Sequence, residues 1–454
     1  MKKWLEPANR RIVAASSYTQ TIDRLEQFLG QFSPDRYLIV VGGAHASTAP
    51  HIENAHIVVR GEGAAGIHHI VGTFGTEGFV REEGSLGLNY VTDGRAVSAP
   101  PRFDRSLETM PSPTFAYDLL PESLKSSPVY ATSFSRVLGE RPQLYICTQS
   151  CRGRCTFCST YLIHGRPVAR PLDLIRRDLE PLIERTKCDS IEFHDDDLSQ
   201  HPDFAGLIDL MDEIGIPWFS YLRVDGLTPG MAQRMAEAGC RRVFLGLEAM
   251  NQETLSYFNK QVTVTDNREC VQSFASAGID VIAGYIIGAP HHSLETIMSD
   301  AEQLLALPLY AINCTILSPD PSTVEFVRAR KAGRYGSDVV RRNRMLRLVP
   351  NTDIYGMLEP TGLPTVCTAV SKADLNRLQG VINGLFYFRD GVYERLCLGR
   401  TEEQRASVDA YYRHVGRQFT ERVVAVDDPR AWPYVEEARE KMAEFSARVR
   451  PRGG

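Results

Sequence analysis

With 454 residues, 43% apolar and 24% charged, the chain can bury one large core and a smaller one, so two or three domains are expected. A formal net charge of -5, with its lysines and arginines interspersed among acids, supplies no basic footprint for nucleic acid. Ten mostly isolated cysteines argue for a reducing, cytoplasmic setting rather than a disulfide framework, and without a signal peptide or spanning-length apolar run no membrane role is expected.

Apolar bursts at 11–15, 37–43 and 56–61 read as buried parallel strands, with a crossover helix over 21–32. Residues 1–80 are therefore expected to form part of a doubly wound, Rossmann-like domain. His45, a lone histidine in its loop, reads as structural. Residues 81–135, punctuated by Pro100-Pro101 and Pro111-Ser112-Pro113, read as a linker. From 143 to 332 strands and helices alternate in six repeats, which predicts an α/β fold with a partial (β/α)6 TIM barrel over 136–335 and ligands at the carboxyl ends of its strands. Amphipathic helices over 374–388, 402–419 and 432–449 make 336–454 a helical C-terminal region, in which the aromatic run at 384–388 packs on the core or lines a pocket.

The chemistry concentrates in Cys151-Arg152-Gly153-Arg154-Cys155-Thr156-Phe157-Cys158. Structural zinc wants a fourth thiolate or imidazole nearby, and no second closely spaced pair exists. Three thiolates suit a 4Fe-4S cluster with one iron left open, able to chelate the amine and carboxylate of S-adenosylmethionine (SAM). Cys147 closes an apolar run and reads as a strand residue. The adjacent His291 and His292 point different ways and read as loop surface.

This C-x3-C-x2-C spacing, with aromatic Phe157 before the last cysteine, resembles the radical SAM superfamily. The run Val41 to Ser47, followed by Arg60-Gly61-Glu62-Gly63, resembles the later half of the cobalamin-binding domain that precedes many radical SAM cores. Only three strands of such a sheet are read here, too few to enclose a corrin easily, and no Asp-x-His-x-x-Gly occurs, so the domain is read as truncated and cobalamin as unlikely. The resemblance implies cofactor contacts at Phe157, Arg223, Glu248, Gly284 and Gly288, with Cys151, Cys155 and Cys158 on the metal. It puts the acidic run His194-Asp195-Asp196-Asp197 near the SAM amino group and substrate, although Asp197 also suits a helix N-cap. Arg223 would pair the methionyl carboxylate or, alternatively, form a surface salt bridge.

By the same resemblance, the expected activity is that of a diol dehydratase (lyase) of aminoglycoside biosynthesis. SAM would be cleaved to a 5'-deoxyadenosyl radical and water removed from a vicinal diol of a paromamine-like amino sugar. Asp195, Asp197, Glu248 and Tyr221, with Tyr285, are the acid and base candidates. A flavodoxin- or ferredoxin-type electron donor and a partner reductase are implied. The alternative is a cobalamin-dependent radical SAM methyltransferase; a non-catalytic iron-sulfur or SAM regulatory protein is a third class.

Overall fold

The computed structural model describes residues 11–18, 22–48, 51–74, 86–92, 95–103, 107–112, 117, 138–227, 229–335, 365–423, 436–437 and 439–444. Two sheets organise them. The first has the order β1 (Ile12–Ser16), β2 (Leu38–Gly42), β3 (Ile57–Val59), β4 (Leu88–Thr92), β5 (Arg95–Val97). Strands β1 to β3 are parallel, in the register Ile12 to Leu38 and Val40 to Ile57. Helices α1 (Ile22–Leu29), α2 (Ala44–Thr48) and α3 (Gly63–Thr73) connect and follow them.

The hairpin β4–β5 corrects the linker reading of 81–135, because it pairs antiparallel with β3 and extends the sheet. Leu88 and Tyr90 alternate into a core with Leu38, Val40, Ile57 and Val59. Asn89 between them is buried, and its side chain accepts from Ser98 Oγ at 2.8 Å and Ala99 N at 3.1 Å. Pro and Ser residues around a five-residue strand hid it.

The second sheet is a six-stranded parallel half-barrel in the order β13 (Ala311–Ile316), β12 (Asp280–Ile287), β11 (Cys240–Glu248), β10 (Trp218–Leu222), β9 (Ser190–Phe193), β6 (Pro142–Tyr145). A two-stranded pair, β7 (Thr148–Gln149) with β8 (Val168–Ala169), brackets α4 (Thr160–His164). The outer helices are α5 (Leu172–Thr186), α6 (Phe204–Ile214), α7 (Pro229–Glu237), α8 (Gln252–Tyr257), α9 (Val264–Ser276), α10 (Leu294–Leu305) and α11 (Val324–Lys331). Local chemistry sets their starts: Thr263 and Asp266 form a capping box on α9, while Asp203, Ser293 and Thr323 cap α6, α10 and α11. Core residues such as Ile191, Phe193, Val243 and Val281 are fully buried against those helices.

The C-terminal helix α12 (Lys372–Tyr387) covers the β13 edge, and α13 (Val392–Cys397) and α14 (Glu402–Val423) pack on α12. Tyr387 donates to the Ile312 carbonyl and Gln379 to that of Cys314, each at 2.7 Å. The aromatic run at 384–388 thus packs on the core. Most of the helix expected over 432–449 lies outside the described residues. Among the described residues no helix is long and apolar enough to cross a membrane.

Candidate active site

The three cysteines lie between β7 and α4, beside the carboxyl ends of the half-barrel strands. Cys155 is 6% exposed, and Cys151 and Cys158 are half-buried. All three thiols have donors: Gly153 N–H reaches Cys151 Sγ at 3.3 Å, Arg223 Nη1 reaches Cys155 Sγ at 3.4 Å, and the Thr160 backbone and hydroxyl donate to Cys158. Burial pushes the Cys151 thiol up to about 11 as a free group, so these donors, like a bound metal, favour the thiolate. Among the described residues no three His, Cys, Asp or Glu side chains converge on a single ion. The donor set fits a cluster spread over several irons. Cys147 stands apart, fully buried, with its Sγ 3.5 Å from Asp195 Oδ1.

Strand ends carry the remaining candidates. Glu248 closes β11 at a φ of 66°, where the β11–β12 register slips between Gly246 and Glu248. The slip takes its carboxylate out of strand alternation and onto Lys260 Nζ at 3.0 Å. Burial opposes the Lys260 ammonium, but the charges of Glu248 and Cys155 outweigh it and raise its pKa. Lys260 was missed in the sequence. Its position depends on Asn259 and Gln261, both left-handed with φ of 52° and 62°, and no motif signals that. Gly246 and Gly284 keep the carboxylate's surroundings open: a Cβ on Gly246 would stand 2.5 Å from Glu248 Oε1, and one on Gly284 would stand 3.7 Å from Oε2.

Arg223 follows β10 and is only 5% exposed, so it is no surface ion pair. Its Nε donates to Asp225 Oδ1 at 2.8 Å and its Nη2 to the Lys260 carbonyl at 2.9 Å. With Nη1 on Cys155, three of its five N–H donors are engaged inside the protein.

The acidic run is also placed otherwise than expected. Asp195 is 2% exposed; its Oδ1 accepts from the backbone N–H groups of Cys147 (3.1 Å) and Thr148, while Oδ2 has no hydrogen-bond partner. Asp197 is fully buried, accepting from Arg223 N at 3.2 Å and Ser199 Oγ at 2.6 Å, with Arg152 Nε 3.5 Å away. It heads a short 3-10 turn without capping it. Both aspartates therefore brace the strand ends rather than face a substrate. Tyr285 is buried and its hydroxyl donates to the Ile297 carbonyl in α10 at 3.2 Å, away from the mouth.

Burial raises Asp195 from 3.8 to about 6, and Asp300 likewise to about 6. The folded chain then holds these protons more tightly than the unfolded chain. The stability they contribute is present below the unfolded value and is lost as pH rises through about 6. Asp195→Asn is expected to flatten the fall in melting temperature over that window, read by thermal unfolding at several pH values.

Inside the half-barrel, Tyr221 on β10 contacts His194 after β9, with ring centroids 5.4 Å apart, and Phe244 on β11 at 5.2 Å. Glu192 Oε2 lies 3.4 Å from His194 Nε2. Phe157 stacks edge-on against Phe258 at 5.0 Å and packs with Ile286 and Leu317. Gly288, at φ 87°, donates to His292 Nδ1 at 3.1 Å against Leu375. The histidine pair is not loop surface: His292 is fully buried, and both Nε2 atoms lie 2.9 Å from Thr254 Oγ1. His45 is also buried, in α2.

The parallel ends of the first sheet face the cysteine loop. Helix α2 packs on α4, the helix that follows Cys158, and Glu62, beyond β3, accepts from His164 at 2.7 Å. Burial works against the His164 imidazolium, but Glu62 outweighs it and raises its pKa. Gly43 and Gly61 hold positive φ in the turns there; a Cβ at Gly61 would sit 1.9 Å from the Arg102 carbonyl oxygen. Both glycines lie against neighbouring backbone, Gly43 on Ser17 and Gly61 on Arg102, where a side chain has no room.

Residues 145–304, which hold most of the parallel half-barrel and the three cysteines, match the Radical SAM superfamily model. An uncharacterized methyltransferase of Pyrococcus horikoshii is 27% identical over 301 residues, covering 64% of this chain and 62% of its own. The bacteriochlorophyllide d C-12(1)-methyltransferase of Chlorobaculum tepidum is 24% identical, covering 51% and 49%. The chain thus spans about half to three-fifths of these relatives' lengths. Among solved structures, the methyltransferase TsrM of Kitasatospora setae, with cobalamin and a [4Fe-4S] cluster bound, matches at a TM-score of 0.61 and 17% identity, over 98% of this chain and 91% of its own. The cobalamin-dependent radical enzyme OxsB, with aqua-cobalamin bound, matches at 0.62 and 14%, over 98% and 68%.

These findings overturn two expectations. The diol dehydratase reading, with its lyase activity and amino-sugar substrate, gives way because the two curated relatives named above are methyltransferases. The expectation that cobalamin is unlikely gives way because neighbours that cover nearly the whole chain bind it. That expectation rested on a missing histidine motif and a strand count; the hairpin β4–β5 adds two strands to that sheet.

Proposed function

We propose that the chain is a cobalamin-dependent radical SAM methyltransferase. The observation that carries this reading is the docking of the first sheet's carboxyl ends on α4, which brings the Gly42-Gly43 and Gly61 turns to the helix that follows the cysteine loop. Cys151, Cys155 and Cys158 would hold the cluster, and the turns around Gly43 and Gly61 would border the corrin. When bound, the cluster supplies an electron to SAM and the corrin a carrier for its methyl group.

The chain's own residues orient and shield. Glu248, held by Lys260 through one oxygen, keeps the other for an ammonium or hydroxyl donor of SAM. Phe157 and Phe258 pack beneath the last cysteine and exclude water. The ring row His194, Tyr221 and Phe244 favours a flat, partly apolar acceptor over a polycationic sugar, since aromatic faces and edges reward planar stacking. Tyr221 remains the proton-transfer candidate on this wall.

Anaerobic reconstitution with iron, sulfide and hydroxocobalamin, followed by gel filtration, is expected to leave stoichiometric corrin on the protein and to yield S-adenosylhomocysteine from SAM. Cluster-loaded protein that retains no corrin and forms only 5'-deoxyadenosine would overturn the reading.

A further inference from the structure

A positive charge in contact with the cluster cysteines comes from outside their loop. Arg223 stands 68 residues from Cys155, yet its Nη1 lies 3.4 Å from Cys155 Sγ. Its other two nitrogens are fixed on Asp225 at 2.8 Å and on the Lys260 carbonyl at 2.9 Å. The loop is shaped to admit it: a Cβ on Gly153 would stand 2.2 Å from Arg223 Nη1, so only glycine lets the guanidinium lie over the loop undisturbed. Asp225 opposes this charge, and Arg152 Nε in turn approaches Asp225 Oδ2 at 3.4 Å.

We propose that Arg223 sets the reduction potential of the cluster through Cys155, and does not hold the SAM carboxylate. One-electron reduction adds negative charge to the cluster and its thiolates. A fixed cation that donates N–H to a ligand sulfur stabilises that reduced state and raises the potential. Arginine suits the task because it never loses its charge and its planar fork can be held on three sides at once. Asp225 trims the effect by partly neutralising the guanidinium. Arg223 is a positioning residue, acting through a ligand sulfur rather than on a reacting atom. The proposal rests on the cluster reading and is independent of corrin binding and methyl transfer.

The test is a mediated redox titration of the reconstituted holoprotein without SAM or cobalamin, with dithionite as electron source and the reduced cluster followed by electron paramagnetic resonance. Arg223→Gln is expected to lower the ratio of reduced to oxidised cluster about tenfold at a fixed potential, a shift of about 59 mV to the negative for one electron. Arg223→Lys is expected to shift it less, in the same direction. Asp225→Asn should shift it the opposite way, because the guanidinium is then uncompensated. SAM affinity of Arg223→Gln, measured by calorimetry, should stay within about twofold of wild type, since the guanidinium is spent on Cys155, Asp225 and the Lys260 carbonyl.

An unchanged potential in Arg223→Gln at full iron content overturns the proposal. So does an unchanged potential with SAM binding weakened tenfold, which would return Arg223 to the carboxylate. If Arg223→Gln fails to hold iron, Asp225→Asn decides: a positive shift supports the proposal, and no shift or a negative one ends it. Wild-type protein that takes up no cluster would sink the iron-sulfur reading first, and this proposal with it.

Discussion

Cys155→Ala is expected to yield a folded chain that takes up no stable four-iron cluster on anaerobic reconstitution and cleaves SAM only at background, whereas Cys147→Ala keeps its full iron and sulfide content. The two cysteines are eight residues apart and both are buried, at 6% and 0% exposure. Their surroundings separate them. Cys155 meets the Arg223 guanidinium, a partner suited to a thiolate. Cys147 faces Asp195, and burial together with that carboxylate raises its thiol well above the ordinary range, so it stays protonated and inert. Removing its sulfur leaves a small cavity that costs about 1 kcal/mol, within reach of a normal fold. Iron and sulfide analysis with cluster absorbance reads both variants. Equal iron in Cys155→Ala and wild type, or iron lost from Cys147→Ala, would reverse the assignment.

What the sequence disclosed was local. The cysteine run, the strand-end glycines and the strand–helix alternation each depend on neighbours in the chain, and α10 at Leu294–Leu305 falls within that alternation. What stayed hidden was carried by distant partners. The Arg-x-Asp after β10 reads equally well as a cofactor clamp or a surface pair; only the approach of Cys155, 68 residues earlier, makes it a partner of a ligand sulfur. The acidic run after β9 looks like a set of substrate carboxylates, yet Asp195 is spent on the Cys147 and Thr148 amides across from it. The cofactor expectation failed for a related reason: a missing motif was given more weight than the strand ends, whose docking on α4 exists only in the folded chain.

Lys260→Met is expected to destabilise the chain by about 3 kcal/mol, because it strands the Glu248 carboxylate, 13% exposed, without its counter-ion. Glu248→Gln strands the Lys260 ammonium, 4% exposed, and should cost a similar amount. The double variant removes both charges and is expected to recover most of the loss, a non-additivity that chemical denaturation of the three proteins measures directly. Stability and function then part company. The recovered double variant, like Glu248→Gln, lacks the carboxylate oxygen left open beside Gly284, so it should bind SAM at least about tenfold more weakly, the order expected when a charge-assisted hydrogen bond is lost. Losses that simply add in the double variant would show that the 3.0 Å contact carries no coupling. A double variant that binds SAM as wild type does would remove Glu248 from the cofactor site. The left-handed residues flanking Lys260 belong to the same argument: backbone strain at Asn259 and Gln261 is retained in the fold because it delivers the ammonium to a carboxylate that would otherwise be buried alone.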